Sequence, residues 1–294
     1  MKFWKMNGAG NDFIILDATK EDIDEKAAPV LSKTLCERHL SIGADGFMLV
    51  LPAERMEELC GKKNTGADYG MLFFNSDGSM GEMCGNGARC ICRYGYETGL
   101  SGEVQTVLTT AGIVTGKRID RRNYKIRLND PLIAKTDLFL SVDGVTFDTS
   151  YVELGNPGIP HLVLELPKEY GAFADDFLSG ESSYENGLRE LGRALRMHEA
   201  LPKGANVNFY RMTGENSADI VTFERGVEDF TYACGTGTGS TALILQKKGL
   251  ISGDSVMLRN RGGVLHVSLQ DGIYLTGPTN IAAKGEVTDE ELDL

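Results

Sequence analysis

The chain has 294 residues, 41% hydrophobic and 24% charged, with a net charge of −12. At roughly 150 residues per domain, the length points to two domains, each with a sizeable core. The acidity leaves no basic patch to neutralise phosphates and argues against nucleic-acid binding. No stretch approaches the roughly 18 apolar residues of a membrane span. The first eight residues also lack the apolar run of a signal peptide. The expected location is therefore the cytoplasm, where thiols stay reduced. In that setting six cysteines (36, 60, 84, 90, 92 and 234) do not read as a disulfide framework.

Residues 3–6 read as a first strand, and Gly8-Ala9-Gly10-Asn11-Asp12 as a turn into a second strand over 13–17. Residues 21–40 look helical, with Val30, Leu31, Leu35 and Leu40 apolar, until Gly43-Ala44-Asp45-Gly46 breaks the pattern. A buried strand follows over 47–51, then a loop or short helical piece over 54–65. Residues 69–74 form a strand that ends in the strong turn Asn75-Ser76-Asp77-Gly78-Ser79. A helix is expected over 88–98, and strands over 105–110, 113–119 and 125–128. The turn cluster Asn129-Asp130-Pro131 falls near the middle and is the expected seam. The second half repeats this order loosely. Strands are expected near 139–142, 150–154, 162–166, 206–211, 218–224 and 230–233, and again over 256–259, 264–269 and 273–276. Helices are expected over 183–198, with Leu188, Leu191 and Leu195 on one face, and over 240–248. Many short strands with few helices fit an α+β fold, with a rolled or closed sheet around a central helix in each half.

Two stretches carry the chemistry. Glu82-Met83-Cys84-Gly85-Asn86-Gly87-Ala88-Arg89 and Ala233-Cys234-Gly235-Thr236-Gly237 lie about half a chain apart. Each places a cysteine directly before Gly-x-Gly, after a strand-like run and before a helix-like one. A thiol there sits at the positive end of the helix dipole, which favours the thiolate. The unpaired N–H groups beside it can hold a carboxylate. Two such loops suit inversion at a carbon bearing a hydrogen, one thiolate acting as base and one thiol as acid. The α-hydrogen of an amino acid is a very weak acid, so such a site must stabilise the carbanion-like state electrostatically.

The remaining cysteines, the histidines and a second glycine loop have plainer readings. Cys36, Cys60, Cys90 and Cys92 read as small core residues. Cys84, Cys90 and Cys92 do not share a helix face, and the histidines at 39, 161, 198 and 266 have no zinc spacing, so no metal is expected. Residues 230–245 run strand, glycine loop, helix, as in a dinucleotide site. However, Gly235-Thr236-Gly237-Thr238-Gly239 lacks the glycine spacing, and no acidic residue closes the next strand.

The order and spacing of these motifs resemble the diaminopimelate epimerase family over nearly the whole chain. The resemblance rests on Gly8-Ala9-Gly10-Asn11-Asp12-Phe13 and on Phe74-Asn75-Ser76-Asp77-Gly78-Ser79 leading to Cys84-Gly85-Asn86-Gly87-x-Arg89. It rests equally on Asn206-Val207-Asn208-Phe209 and on Glu224-Arg225-Gly226 leading to Ala233-Cys234-Gly235-Thr236-Gly237. It implies two pseudosymmetric domains with the site in the cleft between them: residues 1–129 carrying Cys84 and residues 130–277 carrying Cys234, with 278–294 as a candidate to return to the first. It implies epimerisation of LL- to meso-diaminopimelate in lysine and peptidoglycan precursor synthesis, by proton exchange between Cys84 and Cys234 without pyridoxal phosphate, metal or other cofactor. Gly85, Asn86, Gly235 and Thr236 would hold the reacting end of the substrate. Asn11, Asn75, Asn206 and Arg225 would hold the far end, with a bidentate guanidinium on the distal carboxylate. Glu224 and His161 would bind near the amine or tune the thiols. The only partner expected is the small amino-acid substrate, with a homodimer as a candidate assembly.

Unaided, Asn11 and Asn75 read equally well as turn formers, and Glu224-Arg225 as a surface ion pair. One departure bears on the substrate. The family's Gly-Asn-Pro-His appears here as Gly155-Asn156-Pro157-Gly158-Ile159-Pro160-His161. Either Asn156 or the apolar Ile159 then takes the substrate-facing position. A racemase of another polar amino acid, such as histidine or lanthionine, is therefore the alternative, and a non-catalytic carboxylate binder a more distant one. The link from Gly226 to Cys234 is also longer than usual, which is expected to alter local loop shape only.

Overall fold

The computed structural model describes all residues except 65, 82–83, 156–157, 181–185, 289, 291 and 293–294. Asn156, Glu82 and Met83 thus lie outside the described residues. The chain forms two compact units, Met1–Ile126 with Gly277–Leu294, and Arg127–Thr276.

In the first unit β1 (Lys2–Gly8) and β2 (Asn11–Asp17) form an antiparallel hairpin. Its turn needs left-handed backbone at Ala9 (φ 52°) and Gly10 (φ 91°). A short 3-10 turn, Glu25–Ala27, leads into α1 (Ala28–Leu35). The helix expected over 21–40 is therefore much shorter. Pro29 tolerates only the first helical turn, and the chain turns away after Cys36, with His39 (φ 80°) and Gly43 (φ 72°) left-handed. Next come β3 (Gly46–Leu51), parallel to β2, then α2 (Ala53–Cys60), β4 (Tyr69–Asn75) and the short β5 (Met80–Gly81). They are followed by α3 (Gly85–Thr98), β6 (Val104–Thr109), β7 (Gly112–Arg118) and β8 (Asn123–Arg127).

Strand alternation sorts the residues of this sheet. Ile14, Leu16, Phe47, Leu49, Leu72 and Phe74 pack with Leu31, Leu35 and Met56 of the outer helices. Phe13 and Met48 point the other way, toward Gly87 of α3. That helix packs against β1, β2, β6 and β7 and is buried from Gly85 to Gly95. Glycines admit it: a Cβ at Gly116 would come within 2.3 Å of Cys92 Sγ. Cys90 and Cys92 are core thiols, pushed up to about 12 by burial.

The second unit opens with β9 (Pro131–Val142) and β10 (Val145–Leu154). The sequence reading found only their ends, because their exposed faces break the apolar pattern. A two-residue turn at Asp143 (φ 50°) and Gly144 (φ 80°) closes this hairpin. Then come β11 (Ile159–Glu165), α4 (Gly171–Ser179), which the sequence reading missed, and α5 (Asn186–Arg196). The chain continues through β12 (Asn206–Gly214), β13 (Ser217–Glu224), β14 (Asp229–Thr231) and α6 (Gly235–Lys247). It ends with β15 (Ser255–Asn260), β16 (Gly263–Ser268) and β17 (Tyr274–Pro278). Leu162, Leu164, Val207, Phe209, Val221 and Phe223 face α4 and α5, where they meet Phe173, Phe177, Leu188 and Leu195. The alternate residues His161, Asn208 and Thr222 lie on the other face, where α6 packs against β10, β11 and β12. A last strand, β18 (Asn280–Glu286), pairs antiparallel with β1 in the first unit and was also missed.

Each unit thus wraps a sheet around one buried helix, the α+β architecture expected from the sequence, and that helix begins immediately after a cysteine.

Candidate active site

In the first unit Cys84 is the N-cap of α3, with extended backbone (φ −112°, ψ 123°). Its carbonyl accepts the Ala88 N–H at 2.8 Å, which starts the helix. Asn86, almost fully buried, donates from Nδ2 to Asn11 Oδ1 at 2.6 Å. Asn11 Nδ2 in turn lies 3.3 Å from Asp45 Oδ2. Arg38 donates to Asp45 and to Asp12, and Lys5 pairs with Asp12 at 2.7 Å. Two residues that the resemblance names separately, Asn11 and Asn86, are therefore bonded to each other. Asn75 is placed differently. It is exposed at the end of β4, where its Nδ2 donates to Ser79 Oγ (3.0 Å) and its backbone N–H to Ser79 O (2.9 Å). The turn-forming role is fulfilled. Asn75 also shares a row of the sheet with Gly46 and Phe13, at the end where Asn11 lies.

Arg89 belongs to the first motif but carried no expected role. Its guanidinium is fully buried. Nη2 donates to Asn86 Oδ1 at 2.7 Å and Nη1 to Gly85 O at 3.3 Å, while Nε has no hydrogen-bond partner among the described residues. Burial lowers this group to about 10. Arg89 braces the asparagine that holds Asn11.

In the second unit Cys234 is the N-cap of α6, in nearly the same conformation (φ −109°, ψ 115°). Its carbonyl accepts Thr238 N–H at 2.8 Å, matching Cys84. Its sulfur accepts the Gly237 N–H at 3.4 Å and lies 3.5 Å from Thr236 Oγ1. The end of β13 carries Glu224 and Arg225. Glu224 Oε2 accepts from Thr231 Oγ1 at 2.8 Å. Arg225 is exposed; its backbone N–H donates to Asn206 Oδ1 (2.8 Å) and its Nη1 to Lys203 O (3.0 Å). Asn206 and Arg225 are thus brought together.

His161 is completely buried on β11. Burial, with the Arg225 charge acting in the same direction, presses it down to about 3, so it is neutral. Its Nδ1 lies 3.3 Å from Asn208 Nδ2. Its Nε2 has no hydrogen-bond partner among the described residues. Ile159 is half-buried at the start of β11, paired in register with Leu154. The sequence reading assigned no role to Asn208, Thr222, Tyr151 or Glu153. The Tyr151 hydroxyl donates to Glu153, and burial together with that carboxylate holds the phenol above its ordinary range. The signal for Asn208 was present, since alternation in Asn206-Val207-Asn208 sets both amides on one face.

The same fold occurs in solved structures. A hydroxyproline epimerase from Agrobacterium vitis superposes with a TM-score of 0.62 at 15% identity, over 97% of this chain and 91% of that one. A phenazine biosynthesis protein of the PhzF family from Enterococcus faecalis gives 0.65 at 14% identity, over 97% and 98%. In sequence, the chain is 33% identical to the diaminopimelate epimerase of Aquifex aeolicus over 309 residues, covering 100% of both chains. It is 34% identical to that of Archaeoglobus fulgidus over 304 residues, covering 99% and 97%. Fold, cysteine-capped helices and relatives together define an isomerase. The diaminopimelate epimerase family profile matches residues 3–127 and 158–282, and the chain belongs to that family.

Proposed function

We propose that this protein interconverts LL- and meso-diaminopimelate, with Cys84 and Cys234 as the two acid/base groups acting on opposite faces of one α-carbon. The observation that carries this reading is the matched pair of helix starts. Two cysteines in sequence-distant motifs hold almost the same N-cap conformation and the same carbonyl bond into the first turn. A helix start of this kind presents N–H groups and positive potential to a carboxylate and to a thiolate alike.

In the forward direction one thiolate removes the α-proton while the opposite thiol delivers a proton to the other face; in reverse they exchange roles. The thiol pair moves the proton without a carbonyl cofactor. Gly85, Asn86, Gly235 and Thr236 belong to the two helix starts and would hold the reacting carboxylate and amine. Asn11, Asn75, Asn206 and Arg225 would hold the distal end, and Glu224 and His161 would act beside the amine and the thiols. Arg225 supports this assignment, because its backbone N–H is tied to Asn206 while its guanidinium is exposed.

The test is incubation with LL-diaminopimelate in heavy water. Deuterium at the α-carbon together with meso product is expected. Cys84→Ser and Cys234→Ser should each lower the rate by about 10²–10⁴-fold while leaving the circular dichroism unchanged. Absence of label from folded, reduced protein would overturn diaminopimelate as the substrate. A panel including histidine and lanthionine would then identify the amino acid that is labelled.

A further inference from the structure

Asn208 is buried between His161 and the first turn of α6, and its hydrogen bonds determine its orientation. Its Nδ2 lies 2.8 Å from the Leu162 carbonyl oxygen, which can only accept. The amide nitrogen must therefore be on that side, and Oδ1 on the other, where it accepts from Thr222 Oγ1 at 2.9 Å. A flipped amide would set two oxygens against each other at 2.8 Å. The second Nδ2 hydrogen remains, and it faces His161 Nδ1 at 3.3 Å. An amide nitrogen is no acceptor, so Nδ1 must present its lone pair. The neutral ring then carries its proton on Nε2. A flipped imidazole would set a carbon against that N–H and leave a further buried donor unpaired. An imidazolium would set two donors against each other.

From this geometry we infer that Asn208 is a positioning residue that holds His161 in the tautomer protonated at Nε2, making it a hydrogen-bond donor and not a base. A buried N–H with no partner among the described residues is unusual and needs a reason. Here the reason is a ligand: the Nε2–H is a donor for an anion that forms or binds in the site. The tautomer stands on the structure alone. Its use toward the substrate carboxylate or a thiolate rests on the function proposed above. Asn208 Oδ1 also reaches α6 itself, since a Cβ at Gly237 would come within 2.2 Å of it. The amide that orients the histidine is thus wedged against the turn that holds Cys234.

The experiment is nitrogen-15 NMR of histidine-labelled protein. There are four histidines (39, 161, 198 and 266), and His161→Gln assigns the signal. The expected spectrum shows His161 neutral and protonated at Nε2 from about pH 5 to pH 8, without titration. A wild-type His161 protonated at Nδ1, or titrating in that range, overturns the inference whatever the variants do. Asn208→Asp places an acceptor opposite Nδ1. It should move the proton to Nδ1 or charge the ring, and should cut the α-deuteration kcat by at least about tenfold with a smaller change in KM. Retention of the Nε2–H form in folded Asn208→Asp would show that Asn208 does not set it. An altered tautomer with unchanged kcat would overturn the catalytic use and keep the tautomer. If wild-type protein exchanges no α-hydrogen of diaminopimelate, the proposed substrate fails while the NMR assignment remains decidable.

Discussion

A neutral histidine sealed under Asn208 has a thermodynamic consequence that reaches beyond the reaction. His161 is pressed from an ordinary value of 6.5 to about 3 in the folded state. Between those values the unfolded chain binds a proton that the folded chain refuses. The resulting stability is fully present above about pH 6.5 and is lost as pH falls toward 3, by up to about 1.4 kcal/mol per pH unit. Urea unfolding followed from pH 7 to pH 4 should therefore be less pH-dependent in His161→Gln than in wild type, by close to one proton. An identical slope would mean that the imidazole is protonated in the folded protein. Arg89 is the opposite case, a buried cation that stays charged at neutral pH because its desolvation lowers it only to about 10.

Among the secondary-structure elements, the two cysteine-capped helices are built alike but are not packed alike. A Cβ on Gly87 of α3 would meet Met48 Cε at 2.5 Å, and a methionine tip can move aside. On Gly237 of α6 it would meet Asn208 Oδ1 at 2.2 Å, and that amide is held by Leu162, Thr222 and His161. Gly237→Ala should therefore cost about 1–3 kcal/mol more in chemical denaturation than Gly87→Ala, and should disturb the His161 NMR signal. Equal costs would indicate that Asn208 can shift freely. The same contrast explains why glycine recurs at these helix starts: side chains approach the backbone there too closely for a Cβ.

For the molecule as a whole, the decisive feature is that each unit closes its own core. The first collects Ile14, Leu31, Phe47 and Phe74 beneath α1 and α2. The second collects Leu162, Leu188, Leu195 and Phe223 beneath α4 and α5. Leu195→Ala removes a fully buried side chain and should destabilise by about 2–5 kcal/mol. Amide hydrogen exchange should show the protection lost within 127–276, with protection in 1–126 retained. Equal loss across both units would mean that they unfold as one.

Much of this was legible in the amino-acid order because it depends on near neighbours. Cysteine before Gly-x-Gly marks a helix start, short continuous apolar runs mark β3 and β4, and the glycine turn at 8–10 closes a hairpin; all are local effects of backbone sterics and burial. The family itself could be recognised from motif order. What local pattern could not supply was long-range pairing. Nothing near residue 280 announces that β18 will lie against β1. Nothing near residue 161 announces that Asn208, on a strand brought alongside in parallel, will choose the proton position of a histidine. Those pairings depend on registers between distant segments, and a register is decided by how a whole sheet buries its faces. Residue types and helix starts follow from the order of the chain, whereas the hydrogen-bond partners that give those residues their chemistry exist only once the sheets have closed.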